Sequence, residues 1–362
     1  MLNELSGDAR AAAAPLVERW NAFKGKVSQR ADDVVAEGDE GLDEIIGADP
    51  LNPSSISTAL SALESRFHGL GEKVSEAEQT IESDWDEACD DFDDEGDQRV
   101  LRRLWSGIVN ESRALQRDIE GKKELISIKK NADWARVLQQ LAEREWAQPR
   151  ACGECDAEIR VPIVHATSSV TCGHCNAVNS IEVGMATGMY FQGNGVHSLA
   201  AEASRAQWQA ESQAEHDLNE LRHPTTADRQ RYHDAAKARW SAYYTAFKSL
   251  HPGHTPTLEE SVSAKLAHYT AWDFTSENRE RDFFGEVIGL AAARNREGLL
   301  GAIQSGKNVD LDDCVCAVHE RGDRDGAVLL LDIQHQLEDE DEPKQEWIAE
   351  KLAELDEDLA NR

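Results

Sequence analysis

Four of the seven cysteines in the chain fall into two pairs with identical spacing. Cys152 and Cys155 form one Cys-x2-Cys pair, and Cys172 and Cys175 form the second after a spacer of sixteen residues. Two residues between thiols allow one tight turn to point both sulfur atoms at one ion, and two such turns complete a tetrahedron. The spacing therefore predicts one metal site with four thiolate ligands, which we assign to a structural Zn²⁺.

The residues around these cysteines favour short β-strands. The segments 158–164, between the pairs, and 178–183, after them, are rich in β-branched residues. Gly153 and Gly173 follow the first cysteine of each pair, where a residue without Cβ favours a tight turn. The sequence predicts a small β-hairpin module, a zinc ribbon, in which four thiolates leave no coordination position open for catalysis.

Two other uses of the cysteines are weighed against a metal site. Disulfides need an oxidising compartment, and residues 1–30 show no secretion signal with a basic and then an apolar region. A thioredoxin-like redox motif has one Cys-x2-Cys pair in a βαβ unit, whereas this chain has two pairs beside hairpins. His165 and His174 could replace a thiol, although four thiols already fill a tetrahedral site.

The amino-acid sequence around the second pair resembles that of a known family. Residues 166–179 read Ala-Thr-Ser-Ser-Val-Thr-Cys-Gly-His-Cys-Asn-Ala-Val-Asn. This segment resembles the plant lesion-simulating-disease class of zinc fingers, which implies a role in protein interaction and regulation. The chain departs from that class in its longer spacer between the pairs, and in Asp156, which stands where the class has arginine.

The composition of the chain limits the kinds of molecule that it is expected to bind. The chain of 362 residues carries 38 basic and 69 acidic residues, a formal net charge of −31. Such a balance disfavours a large phosphate-binding surface, so nucleic acid is an unfavoured partner. The chain has no run of about 18 apolar residues, so no membrane-spanning helix is predicted. We expect a soluble, cytoplasmic protein of two or three domains.

Two long helices are predicted before the ribbon, over residues 55–92 and 98–147. Apolar residues recur every three or four positions along both. In the first helix they are Ile56, Leu60, Leu63, Phe67, Leu70, Val74, Ala77, Ile81, Trp85, Ala88 and Phe92. Residues 64–97 hold 14 acids and 2 bases, and residues 99–136 hold 10 bases and 5 acids. The two helices are therefore expected to form an antiparallel, coiled-coil-like hairpin held by opposite charges.

Further helices are predicted on both sides of this hairpin. An earlier apolar stripe over residues 16–34 predicts a third helix that packs on this hairpin. Residues 38–53 contain glycines and prolines that disfavour a helix, so they are predicted to link the third helix to the hairpin. The four glycines within 184–195 predict a flexible connection after the ribbon. Short helices follow over 277–295, 297–305, 311–321, 325–338 and 344–359.

The predicted fold is therefore mainly α, in four parts. A helical arm covers 1–148, the zinc ribbon 149–184, a helical domain 185–275, and a bundle or irregular solenoid of short helices 276–362.

Two near matches to nucleotide and calcium motifs fail on chemistry. Residues 301–308 read G-x4-G-K followed by Asn308, where a phosphate loop needs Ser or Thr. An EF-hand loop from Asp91 would need glutamate at its last position, which is Arg102.

We expect a non-enzymatic scaffold or adaptor that binds protein partners, with self-association allowed. A nucleic-acid-associated zinc ribbon and an enzyme with a site between helical domains stay open as alternatives.

Overall fold

The computed structural model describes residues 2–89, 92, 94–161, 165–221, 224–251, 253–267, 269, 283–304, 311–338 and 343–360. Helices account for most of these residues, so the predicted mainly-α fold is confirmed. The helices are α1 (Gly7–Ala48), α2 (Pro53–Cys89), α3 (Glu95–Ala147), α4 (Met185–Phe191), α5 (Gly195–Ala203), α6 (Arg205–Asn219), α7 (Thr226–Leu250), α8 (Leu258–Leu266), α9 (Phe283–Ala292), α10 (Arg296–Gln304), α11 (Leu311–Glu320), α12 (Arg324–Glu338) and α13 (Lys344–Ala360). The strands are β1 (Arg150–Ala151), β2 (Glu158–Ile159), β3 (Ser168–Thr171) and β4 (Val178–Ile181).

The three long helices α1, α2 and α3 pack around one hydrophobic core. Trp20 of α1, Phe67 of α2 and Ile108 of α3 are all buried in it, as the apolar stripes predict. The 53 residues of α3 extend over about 80 Å at 1.5 Å per residue. We call this three-helix bundle the arm.

Charge pairing within the arm includes α1, for which no charge partner was predicted. Basic residues of α3 were expected to pair with the acidic helix α2, and that pairing stays a prediction. In the described residues, Lys122 pairs with Asp32 of α1, and Lys130 pairs with Asp39 of the same helix. Helix α1 packs against both α2 and α3 and brings its aspartates to the lysines of α3.

The predicted link at residues 38–53 is wrong, because α1 continues through most of it. Leu42 and Ile46 are buried, so the apolar stripe outweighs the helix-breaking tendency of the glycines. Gly38 has a packing role: a Cβ there would lie 2.6 Å from Cδ1 of Leu63. The glycine therefore allows α1 and α2 to approach each other closely.

The flexible connection predicted at residues 184–195 is also wrong. Helix α4 occupies Met185–Phe191, and Tyr190 and Phe191 are buried. Glycine is a poor helix former by about 1 kcal/mol, and the buried aromatic rings offset that cost. Gly195 begins α5 close to α4, since a Cβ there would lie 2.8 Å from Cα of Tyr190.

The C-terminal end of α3 packs directly on the helices that follow the ribbon. Leu138 and Ala142 of α3 form one hydrophobic cluster with Tyr190 of α4, Val196 of α5 and Phe247 of α7. The helices before the ribbon and the helices after it are thus in direct contact with each other. The hydrophobic packing along α3 therefore extends past the three-helix bundle to the C-terminal end of α3.

Helices α9 to α13 surround a separate hydrophobic cluster that contains Val287, Leu299, Leu330 and Trp347. The five short helices predicted here agree with the described elements, except that residues 277–282 and 305 lie outside the described residues. Cys314 of α11 is fully buried in this cluster, and Cys316 of the same helix is half-buried. The predicted domain boundaries stay a prediction.

Candidate metal centre

Each cysteine pair lies in a turn of the same backbone geometry. In the first turn, the N–H of Cys152 donates to the carbonyl of Ala157 over 2.9 Å, and the N–H of Asp156 donates to the carbonyl of Cys152 over 3.0 Å. In the second, the N–H of Cys172 donates to the carbonyl of Ala177 over 2.8 Å. Strand pairs β1–β2 and β3–β4, both antiparallel, enclose these turns. The module therefore contains two antiparallel hairpins, one around each cysteine pair.

The residue after each second cysteine has a positive φ angle. Asp156 has φ 56° and Asn176 has φ 59°, in the left-handed region that asparagine and aspartate tolerate better than other residues with a side chain. Gly153 and Gly173, which were predicted to favour the tight turns, do not have positive φ angles. The aspartate that departs from the plant zinc-finger pattern thus suits the backbone at its position.

The four thiols converge on one point. Sγ of Cys152 lies 3.6 Å from Sγ of Cys175, and Sγ of Cys155 lies 3.7 Å from Sγ of Cys172. All four sulfur atoms lie within 4.8 Å of one another. A disulfide needs about 2.05 Å, and all four cysteines are free. Metal–sulfur bonds of about 2.3 Å in a tetrahedron place the sulfur atoms about 3.8 Å apart, so the cluster fits a metal ion.

Asn179, which was not predicted to belong to the site, connects the two turns. Its Oδ1 accepts from the N–H of Gly153 over 2.9 Å, and its Nδ2 donates to Sγ of Cys152 over 3.5 Å. Nδ2 also donates to the carbonyl of Ala177 over 3.1 Å. The signal in the sequence is an asparagine four residues after the last ligand, within β4 and facing the first turn.

Hydrogen bonds to sulfur favour the thiolate at one cysteine of each pair. The N–H of Glu154 and the amide of Asn179 lower the pKa of Cys152 to about 6. The N–H groups of Cys175 and His174 lower the pKa of Cys172 in the same way. Because thiolates rather than thiols bind metals, the backbone prepares the site for a cation.

The module has almost no hydrophobic core of its own. Cys152, Cys172 and Ile159 are its buried members, with Val170 half-buried against them. Cys155 and Cys175 are exposed at its surface. Since so little apolar surface is buried, a bound metal is the strongest available source of stability for this segment.

A single glutamate holds the two ends of the module together. Glu145, in the last turns of α3, accepts hydrogen bonds from the N–H of Ala186 over 3.1 Å and from the N–H of Thr187 over 3.0 Å. It also accepts from the hydroxyl of Thr187 over 2.7 Å. Burial opposes the charge, but these hydrogen bonds outweigh it and hold the pKa of Glu145 below its usual range. The chain thus leaves and re-enters the helical body at one point.

The two histidines considered as alternative ligands have other places. His165 packs against the helices, with its ring centroid 5.6 Å from that of His251 and 5.9 Å from that of Phe191. His174 is exposed, and its backbone N–H donates to Sγ of Cys172 over 3.4 Å. Within the described residues, the four cysteines form the only group of three or more such side chains close enough to share an ion.

The two arginines nearest the ribbon line a cavity of about 350 Å³ between the ribbon and the helix ends. Arg150 and Arg160 share its walls with Glu145, Glu158 and Glu182. The acidic side chains offset the positive charge that a nucleic-acid surface requires.

No family model matches the chain, and no curated protein or solved structure matches it either. The resemblance to the plant zinc fingers therefore stays a prediction. Within the ranges that the structure describes, no helix combines the length and the apolarity needed to cross a bilayer. The phosphate-loop-like segment at 301–308 and the acidic turn at 90–97 extend outside the described residues.

Proposed function

We propose that Cys152, Cys155, Cys172 and Cys175 hold one structural Zn²⁺, and that the chain is a non-enzymatic scaffold that binds protein partners. The observation that carries the metal assignment is the sulfur spacing of 3.6 and 3.7 Å in paired turns. Zn²⁺ prefers four thiolates in a tetrahedron and has no redox chemistry of its own in such a site. Zinc would fix the turns and leave no position for a substrate.

The scaffold role is supported by where the ribbon lies on the molecule. It lies in the chain between α3 and α4, and Glu145 holds both of its ends. Val178 of β4 is 70% exposed and Met185 at the start of α4 is 64% exposed, so the ribbon side of the junction between α3 and α4 offers apolar contacts to a partner. Zinc would maintain the shape of this surface, while α3, α4 and α5 maintain the joint itself.

Metal analysis tests the first half of the proposal. Wild-type protein is expected to contain one zinc per chain, and Cys172→Ser to contain much less than one. Cys316→Ser, which alters a half-buried thiol outside the site, is the matched control and is expected to keep its zinc. Wild-type protein that is purified in the presence of zinc and holds no stoichiometric metal would contradict the assignment.

Partner binding tests the second half. Affinity purification compares proteins retained by wild type, Cys172→Ser and Cys316→Ser, and each candidate is then titrated as a purified protein. A saturable partner that binds wild type and Cys316→Ser, and binds Cys172→Ser at least tenfold more weakly, supports the proposal. Equal binding to all three removes the ribbon from the interface. Salt-dependent binding to nucleic acid in place of a protein would favour the nucleic-acid alternative.

A further inference from the structure

A second cleft, remote from the cysteines, lies between α3, α6 and α7 and encloses about 760 Å³. Its walls combine aromatic rings with carboxylates, a pairing that the zinc proposal does not use. Cavities of this size accommodate small organic ligands.

Three aromatic side chains line the cleft: Trp208 of α6, Tyr232 of α7 and Tyr269, which follows α8. The rings of Tyr232 and Tyr269 lie 5.8 Å apart at 51°. Tyr269 is held in place because its hydroxyl accepts from Nε1 of Trp240 over 3.1 Å. Faces of aromatic rings attract organic cations, most strongly when the cation is partly removed from water.

The acidic residues of the cleft come in pairs one helical turn apart. Glu120 and Glu124 line it from α3, and Glu211 and Glu215 line it from α6. Like charges at this spacing repel each other. In each pair one carboxylate has a basic partner, Lys123 for Glu120 and Arg239 for Glu211. In the part of the chain that the structure describes, Glu124 and Glu215 have no basic partner.

The protein already holds one internal cation beside this space. The guanidinium of Arg239 lies 2.6 Å from a carboxylate oxygen of Glu211 and 4.7 Å from the centroid of the Trp240 ring. Glu211 is only 4% exposed and the Arg239 side chain is 27% exposed, so the carboxylate of this pair is buried and the guanidinium is partly buried. A carboxylate and an aromatic face together thus stabilise a positive charge at this wall, and the remaining carboxylates are left for another cation.

Tyr232 reports the same negative environment. Burial, followed by the charge of Glu215, raises the pKa of its hydroxyl to about 12. The hydroxyl is protonated at neutral pH, as that of an ordinary tyrosine is, so its ring is a neutral face for a cation.

We propose that this cleft binds an alkylammonium cation, with Trp208, Tyr232 and Tyr269 around its carbon chain and Glu124 and Glu215 on its ammonium groups. A free linear polyamine and a lysine side chain of another protein share this chemistry. The site is independent of zinc and of the ribbon surface, so it stands whether or not the scaffold proposal does.

Calorimetric titration of the full-length protein tests the proposal with two probes, spermidine and a pentapeptide that contains two lysines and has blocked ends. One probe or both are expected to bind at one site per chain. Trp208→Ala, which leaves the net charge unchanged, is expected to weaken binding at least tenfold. Glu124→Gln is expected to weaken it about threefold to tenfold. Spermidine binding identifies a free polyamine, and binding of the peptide alone identifies a protein lysine.

The matched control separates this site from the general attraction of a chain with net charge −31. Glu18→Gln removes one exposed carboxylate on α1, outside the cleft, and is expected to leave the affinity unchanged. Circular dichroism verifies that each variant is folded, and Glu124→Gln keeps the test decisive if Trp208→Ala unfolds. Binding of neither probe, or equal weakening by Glu18→Gln and Glu124→Gln with no effect of Trp208→Ala, would overturn the proposal.

Discussion

Asn179 is the side chain that joins the two halves of the cysteine cluster. It binds the backbone of the first turn through Gly153 and donates to Sγ of Cys152 from β4, beside the second turn. When a group that orients a metal ligand in this way is removed, the metal commonly binds more weakly. Its effect is therefore expected on metal affinity more than on the helical fold.

Asn179→Ala is expected to lower zinc affinity by about 10- to 100-fold, because it removes an orienting hydrogen bond from a ligand and one from its turn. Competition with a chromophoric chelator measures the affinity. Ser180→Ala, at the exposed neighbouring position of β4, is the control and is expected to match wild type. Equal affinities for Asn179→Ala and Ser180→Ala would refute this role.

The left-handed residues Asp156 and Asn176 give a second test at this scale. Replacement of Asn176 by alanine is expected to destabilise the zinc-bound ribbon by about 1 kcal/mol, because alanine tolerates φ 59° poorly. Asn176→Gly is expected to cost less, since glycine adopts positive φ freely. Hydrogen exchange of the ribbon amides compares the two variants, and identical protection in both would contradict the backbone explanation.

At the scale of elements, histidine rings connect the ribbon segment to the helices. His251 follows α7, and its ring packs on Phe191 of α4 at 5.4 Å and on Phe247 of α7 at 5.6 Å. Its Nδ1 is buried without a hydrogen-bond partner in the described residues. Burial, and then the charge of His165 and His254, lower the pKa of His251, so the packed state prefers the neutral ring.

This preference predicts a loss of stability in mild acid. A histidine whose pKa is lower in the folded than in the unfolded state binds its proton first when unfolded, so stability falls as the pH drops below about 6.5. Urea unfolding with excess zinc at pH 7.5 and 5.5 is expected to show this fall, and His251→Phe to reduce it. His68→Phe, on the surface of α2, is the control and should keep the wild-type pH dependence. The same pH dependence in His251→Phe as in wild type would refute the role of this ring.

Lys130 is an ionic contact within the arm that also belongs to this scale. Its side chain is 1% exposed, and its Nζ lies 2.6 Å from Asp39 and 2.7 Å from Asp43, both on α1. Asp39 and Asp43 are 35% and 60% exposed, so water can solvate them when Lys130 is removed. The buried part of this contact is the alkyl stem of Lys130, whose packing an apolar residue of similar shape preserves.

Lys130→Ala is expected to destabilise the protein by about 2 kcal/mol because it empties the space of a buried stem, and Lys130→Met by clearly less, because methionine fills the same space. Thermal unfolding followed by circular dichroism measures both variants. Lys73→Ala, exposed on α2, provides the baseline for a surface lysine and should remain near wild type. Equal destabilisation by alanine and methionine would show that the charge, rather than the packing, determines the cost.

At the scale of the whole molecule, the C-terminal helices are attached to the body by a polar contact. Asp228 caps the start of α7 together with Thr225, and it also accepts from the guanidinium of Arg321, which follows α11, over 2.8 Å. Burial opposes the charge of Asp228, but the hydrogen bonds from Thr225 and Arg321 hold its pKa below the usual range. One carboxylate thus serves a helix cap and an attachment between parts of the fold.

Asp228→Ala is expected to cost about 3 kcal/mol, since it removes a helix cap and leaves a half-buried guanidinium without this partner. Hydrogen exchange should show faster exchange in α7 and in α11 to α13 at once. Asp234→Ala, exposed further along α7, is the control and should affect neither region strongly. Faster exchange in α7 alone would separate the cap from the attachment. The carboxylate contributes its stability above about pH 3.9, and acid removes it.

The spacing of the four cysteines and the apolar stripes of the long helices were sufficient to predict the cluster and the mainly-α fold. Both are local patterns: a turn of two residues orients a thiol pair, and a recurrence every three or four residues defines a helix face. The helix through residues 38–48 and the helix α4 were not predictable in this way, because buried partners elsewhere in the chain outweigh their glycines.

The amino-acid sequence by itself therefore determined which residues could bind a metal and which faces of the helices are apolar. Tertiary structure alone decided that the lysines of α3 meet α1, that Glu145 joins the two ends of the ribbon, and that carboxylates from α3 and α6 share a cleft. The physical reason is distance along the chain. Contacts between residues tens of positions apart depend on how whole helices pack, and no local pattern of residues records that packing.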